Sequence, residues 1–137
     1  MVDRLGKKEG KLLAQYELKR ALEEIKTAKL LENNGIYFKS VVSSYYAVYH
    51  AAKASLLFKG IAPKSHEGVE RMFSLYYIKT KEIREEDVSR IIGRLMKLRE
   101  EADYYPESSF SIKDSAEAFE MAERFVKVIK KVIRFEN

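Results

Sequence analysis

Arg99 and Asp103 stand four residues apart in a predicted helix, one turn from each other on the same face, so a guanidinium and a carboxylate can meet there. Two kinds of chemistry follow from that pairing. In the plainer one it is an intrahelical ion pair that stabilises the helix by a few tenths of a kcal/mol. In the sharper one Arg99 grips a phosphate through parallel N–H donors, with Asp103 and Tyr104 orienting it or handling protons. Spacing alone favours the ion pair.

A second candidate is Lys64-Ser65-His66, at the start of another predicted helix. Free N–H groups and the positive end of the helix dipole favour an anion at such a place, so a phosphate could rest on these residues. Capping by the Ser65 hydroxyl is sufficient by itself to explain the serine. The only other histidine, His50, lies in an apolar stretch beside Tyr46 and Tyr49, where a hydrogen-bonded core histidine is the expected role. The chain has no cysteine, no glycine-rich phosphate loop and no His-Glu-x-x-His pair, so neither a metal site nor a cofactor site is expected.

These residues need a scaffold, and 137 residues fit one domain with a real core. The composition is 46% hydrophobic and 34% charged, which excludes a disordered polar tail and requires an ion-dense surface. The net charge of +5 permits an anionic partner without demanding one, because acids and bases are interspersed. Lys127, Lys130, Lys131 and Arg134 alone form a one-signed stripe, which ordinarily solvates a surface and less often marks nucleic-acid binding. No apolar run reaches the ~18 residues of a membrane span, and the N-terminal residues lack a signal-peptide core. A cytoplasmic protein without a membrane anchor is expected, the lack of cysteine agreeing with a reducing compartment.

Periodicity predicts five helices and no strand. Leu18, Ala21, Leu22, Ile25, Ala28 and Leu31 mark the inner face of a first helix from Gly10 to Glu32, stopped by Asn33-Asn34-Gly35. A second, from Ile36 to about Lys59, is apolar on nearly all sides and belongs at the centre. Pro63 separates it from a third, capped by Ser65 and buried through Val69, Met72, Phe73 and Tyr76. The fourth runs from about Ile83 to Tyr104, ended by Pro106 and followed by the loop Glu107–Phe110. Ser111-x-x-Asp114 forms a capping box for the fifth, lined by Ala116, Phe119, Ala122, Val126, Ile129 and Ile133. The fold class is therefore all-α, a single up-and-down bundle of about five helices over residues 1–137, with its core between about 10 and 134.

Three stretches together resemble one family. They are Ser44-Tyr-Tyr-Ala-Val-Tyr-His-Ala-Ala-Lys53, Ser65-His-Glu-Gly-Val69 and Leu98-Arg-Glu-Glu-Ala-Asp-Tyr104, and in that order they are similar to a prokaryotic subgroup of HEPN-domain proteins. The resemblance spans about residues 10–134 and implies a five-helix bundle, which agrees with the periodicity. It also implies a homodimer, an RNA or nucleotide ligand, and pairing with a minimal nucleotidyltransferase as toxin and antitoxin. In active members an Arg-x4-His motif near the dimer axis cleaves RNA without metal, Arg steadying the phosphate while His handles protons. Arg99 occupies the arginine position, and Tyr104 stands where the histidine would be. Tyrosine with its ordinary pKa near 10 is a poor base at neutral pH, so an active ribonuclease here would draw its base from Asp103 or His66. The resemblance thus leaves three expectations: a phosphate-binding member of such a module, an active metal-independent ribonuclease toxin, or a non-catalytic adaptor subunit of the nucleotidyltransferase.

Overall fold

The computed structural model describes residues 2–104 and 110–134, with side chains described from Arg4 onward. Five α-helices are found among these residues: α1 (Lys7–Asn33), α2 (Tyr37–Phe58), α3 (His66–Phe73), α4 (Glu86–Tyr104) and α5 (Ile112–Val132). The architecture is the predicted all-α bundle. The stop expected at Pro106 and the loop from Glu107 to Ser109 lie outside the described residues.

Where α1 ends, Asn34 closes the helix, its side-chain amide donating to Leu30 O at 2.8 Å, and Gly35 turns the chain at φ 74°. That left-handed turn is cheap only for Gly and, less so, Asn, which is why the triplet stops the helix. α2 packs against α1, α3, α4 and α5, the central position that its all-round apolarity requires. The Ser111 cap is also as expected, with Ser111 N–H donating to Asp114 Oδ2 at 2.9 Å and Asp114 N–H to Ser111 Oγ at 3.2 Å.

Four expectations need correction. Of the expected inner face of α1, Ala21 and Ala28 are buried, together with Gly10, Ala14, Glu17 and Glu32, whereas Leu22 is 37% exposed. Alanines spaced by seven let α1 and α2 approach closely, which leaves the larger leucines at the rim of the contact. Secondly, Val2–Arg4 (β1) and Ile61–Pro63 (β2) pair antiparallel, Arg4 opposite Ile61. Three-residue segments are too short to show a period of two, so no strand was legible. Thirdly, α3 continues into a π-helical turn, Ser74–Ile78, with Lys79 N–H donating to Ser74 O at 2.8 Å. The added residue in that turn buries Tyr77 in place of Tyr76 and lets its hydroxyl donate to Ser55 O at 2.5 Å. Lastly, Ile83 is buried but lies before α4, held by its N–H to Tyr77 O at 2.9 Å.

Between α1, α2 and α5, Ser115 Oγ donates to Ser40 Oγ at 2.9 Å, and Ser40 Oγ donates to Ala28 O at 2.7 Å. These buried hydroxyls are each satisfied, so they pin three helices at little desolvation cost.

Candidate functional site

Helical geometry places Tyr45, Tyr46, Tyr49 and His50 on one side of α2, since positions four apart stack a turn above one another. His66, the first residue of α3, and Arg99, in the last turns of α4, both reach Tyr45 in this group. The Arg99 guanidinium carbon lies 5.4 Å from the Tyr45 ring centroid and 5.9 Å from that of Tyr46, within cation–π range. Its Nε is 3.2 Å from Asp103 Oδ2. The predicted ion pair is therefore present, and it coexists with a second set of contacts that spacing could not show. The Arg99 side chain is 27% exposed, half-buried and open to solvent on one side.

Tyr45 Oη and His66 Nδ1 are 2.6 Å apart. Tyr45 is fully buried, and burial pushes its phenol well above the ordinary value against the opposing charge of Arg99. Among the described residues no other hydrogen-bond acceptor meets this buried phenol, so Tyr45 O–H is the donor and Nδ1 the acceptor. His66 is pushed below its ordinary value, first by burial and then by the charge of Arg99. It is neutral at pH 7 with its proton on Nε2, because the partner of one ring nitrogen sets the state of the other. Tyr49 stacks on His66 with centroids 4.2 Å apart and planes 13° from parallel, and Tyr46 meets it edge-on. The site thus offers a cation from Arg99 and a neutral N–H from His66, on a frame whose rings fix both. Those are donors for an anion, and the arrangement suits a phosphate oxygen.

Behind this frame His50 Nδ1 lies 2.6 Å from Glu17 Oε2, and both are buried. The hydrogen-bonded histidine that the sequence led us to expect is thus found, its partner supplied by α1. Burial pushes Glu17 up, but the hydrogen bond and charge of His50 and the charges of Lys53 and Arg20 outweigh it, leaving the carboxyl below its usual range. Tyr49 is raised by its own burial and by the charge of Glu17, so it too stays a neutral phenol.

Of the residues singled out in the sequence, Arg99 and His66 are brought to Tyr45, and Asp103 pairs with Arg99. Ser65 caps α3, its Oγ accepting from Gly68 N–H at 2.9 Å, while Lys64 is exposed. Tyr104 is 78% exposed at the end of α4, and no ring contact among the described residues joins it to the cluster. Sequence reasoning missed Tyr45, Tyr46, Tyr49 and Glu17 as site residues. The signal for the tyrosines was their one-turn spacing beside His50, and for Glu17 a carboxylate set between Ala14 and Ala21.

The chain is similar to a protein of Methanocaldococcus jannaschii named "putative toxin", 40% identical over 114 residues that cover 83% of this chain and 84% of that one. It is 30% identical over 125 residues to a "UPF0332 protein" of Thermotoga maritima, covering 91% and 94% of the two chains. In fold it resembles the crystal structure of an archaeal HEPN homologue, with a TM-score of 0.71 and 20% identity over 88% of this chain and 98% of that one. The model of the HEPN domain matches residues 14–133, a span that holds Glu17, the α2 tyrosines, His66 and Arg99 alike, and the chain belongs to that family.

Proposed function

We propose that this chain binds RNA or nucleotide phosphate at Arg99 and acts as the toxin-type half of a cytoplasmic pair with a minimal nucleotidyltransferase, working as a homodimer. The observation that carries the phosphate reading is the Arg99 guanidinium, half-open to solvent, held over Tyr45 and Tyr46, with His66 hydrogen-bonded to the same Tyr45. A surface arginine tied only to Asp103 would need no such frame. The name of the Methanocaldococcus relative supports the toxin reading. Arg99 and His66 serve as phosphate donors, and Asp103 limits the rotamers of Arg99 before the ligand arrives. Lys64 adds positive charge near the approach to His66, and Tyr104, exposed at the end of α4, stands where a ligand or a second subunit can reach it.

Titrating labelled single-stranded RNA and free nucleotides into wild type and Arg99→Ala tests this directly. Loss of a charge-assisted contact costs about 1.5–3 kcal/mol, so binding is expected to weaken roughly tenfold or more. Binding that is absent in wild type, or unchanged in the variant, removes the site.

One observation favours a second reading, metal-independent RNA cleavage: an imidazole kept neutral beside an arginine. Acting as base at Nε2 requires His66 to carry its proton on Nδ1, the reverse of the tautomer that Tyr45 imposes, so binding is the better-supported function. Cleavage products with 2′,3′-cyclic phosphate ends, formed in chelator and lost in both Arg99→Ala and His66→Gln, would reverse that order.

A further inference from the structure

On the side of the bundle formed by α1 and α5 lies a groove of about 470 Å³, within the size range of ordinary binding clefts. Leu22, Ile25 and Val126 give it an apolar floor, with Leu22 37% exposed. Its rim is the basic stripe of the sequence: Lys127, Lys130, Lys131 and Arg134. Among the described residues none of these four has a carboxylate within ion-pair distance, although Arg134 Nε donates to Lys131 O at 3.2 Å. Cations in a last helical turn complement the helix dipole, which accounts for Lys130 and Lys131. It does not account for Lys127 and Arg134, nor for leaving Leu22 open beside them.

The pattern is amphipathic in a particular way. Lys127, Lys130 and Lys131 lie three and four residues apart along one edge of α5, Arg134 follows just beyond the helix end, and the apolar floor lies beside them between α1 and α5. A helix with carboxylates at the same spacing and leucines beside them matches both features at once. Two other occupants match worse. A second copy docked about a two-fold axis would set this cationic rim against itself. Nucleic acid would meet the cations but has no use for the apolar floor.

We propose that this groove docks an acidic amphipathic helix of a protein partner, the positive chain steering its approach and the apolar floor holding it. The groove belongs to α1 and α5, whereas the Arg99 cluster rests on α2, α3 and α4, so the proposal is independent of the phosphate reading.

The test uses the full chain and a fluorescein-labelled synthetic helix with Leu along one stripe and Glu along the neighbouring one, with a counterpart carrying Lys in place of Glu. The acidic helix is expected to bind and its lysine counterpart not to, with amide shifts concentrated at Leu22–Ile25 and Val126–Arg134. Lys127→Glu/Lys131→Glu and, separately, Leu22→Ser should each weaken binding about tenfold, whereas Arg99→Ala should leave it unchanged. All are exposed or half-exposed positions, and far-UV circular dichroism checks that the variants keep their helix content. Three results would overturn the proposal: no binding of the acidic helix, a charge-reversed variant that loses single-stranded RNA in its place, or one that changes oligomeric state in light scattering.

Discussion

At the scale of single residues the site is a set of protonation states held by contact. Tyr45 stays a phenol because it is buried, His66 stays neutral because it is partly buried beside Arg99, and the hydrogen bond between them selects the His66 tautomer. Nitrogen-resolved NMR should find the His66 proton on Nε2 in wild type and a mixture in Tyr45→Phe; a wild-type mixture contradicts the assignment. The same groups set how stability depends on acid. His66 has a folded value below its unfolded 6.5, so between the two the unfolded chain binds more protons and stability falls as pH drops. Glu17 lies below its unfolded 4.5, so its contribution is present above that value and is lost as pH falls through the folded one. Urea midpoints should therefore decline in two steps, starting near pH 6.5 and again below about 4.5, and His66→Gln should abolish the first step alone. Glu17→Ala leaves the His50 N–H buried without its acceptor, and should cost about 1–3 kcal/mol in urea unfolding at pH 7. A change of only a few tenths would mean that the pair does not help hold α1 to α2.

At the scale of elements, the seam between α1 and α2 decides where the site residues stand. A Cβ on Gly10 would collide with the Leu57 carbonyl oxygen, a backbone atom that has little room to yield. Helix propensity alone says that Gly10→Ala stabilises by up to about 1 kcal/mol. Overpacking of this kind costs about 1–3 kcal/mol, so the collision should win and the variant should melt lower than wild type. Much of this scale was legible in the sequence, because Asn33-Asn34-Gly35, Pro63 and the Ser111 box act locally and need no partner to be understood. The α1 seam was not, since Leu22 and Ala21 are neighbours on one stripe and only the distance to α2 decides which is buried. The π-turn was hidden for a similar reason: nothing in Ser74–Ile78 announces an extra residue per turn. In the site, Arg99–Asp103 was legible as a four-residue spacing. The meeting of Glu17 with His50, and of Tyr45 with His66, joins positions 33 and 21 apart and depends on how whole helices pack.

At the scale of the molecule, two faces carry different chemistry. The Arg99 face offers a framed cation and neutral donors, and the α1–α5 face offers an apolar groove with a cationic rim. We place the proposed homodimer on the first, since two copies of the second would set like charges together. Light scattering at micromolar concentration should give twice the chain mass for wild type and for Lys127→Glu/Lys131→Glu; a wild-type monomer refutes the dimer. The most direct measurement of the central claim is a titration of single-stranded RNA followed through the Arg99 Nε–H and His66 Nε2–H signals. Both should shift together and saturate at one RNA concentration, with the shift of His66 lost in Arg99→Ala. If the Arg99 and His66 signals stay still while RNA binds elsewhere on the chain, the phosphate site is not where we place it.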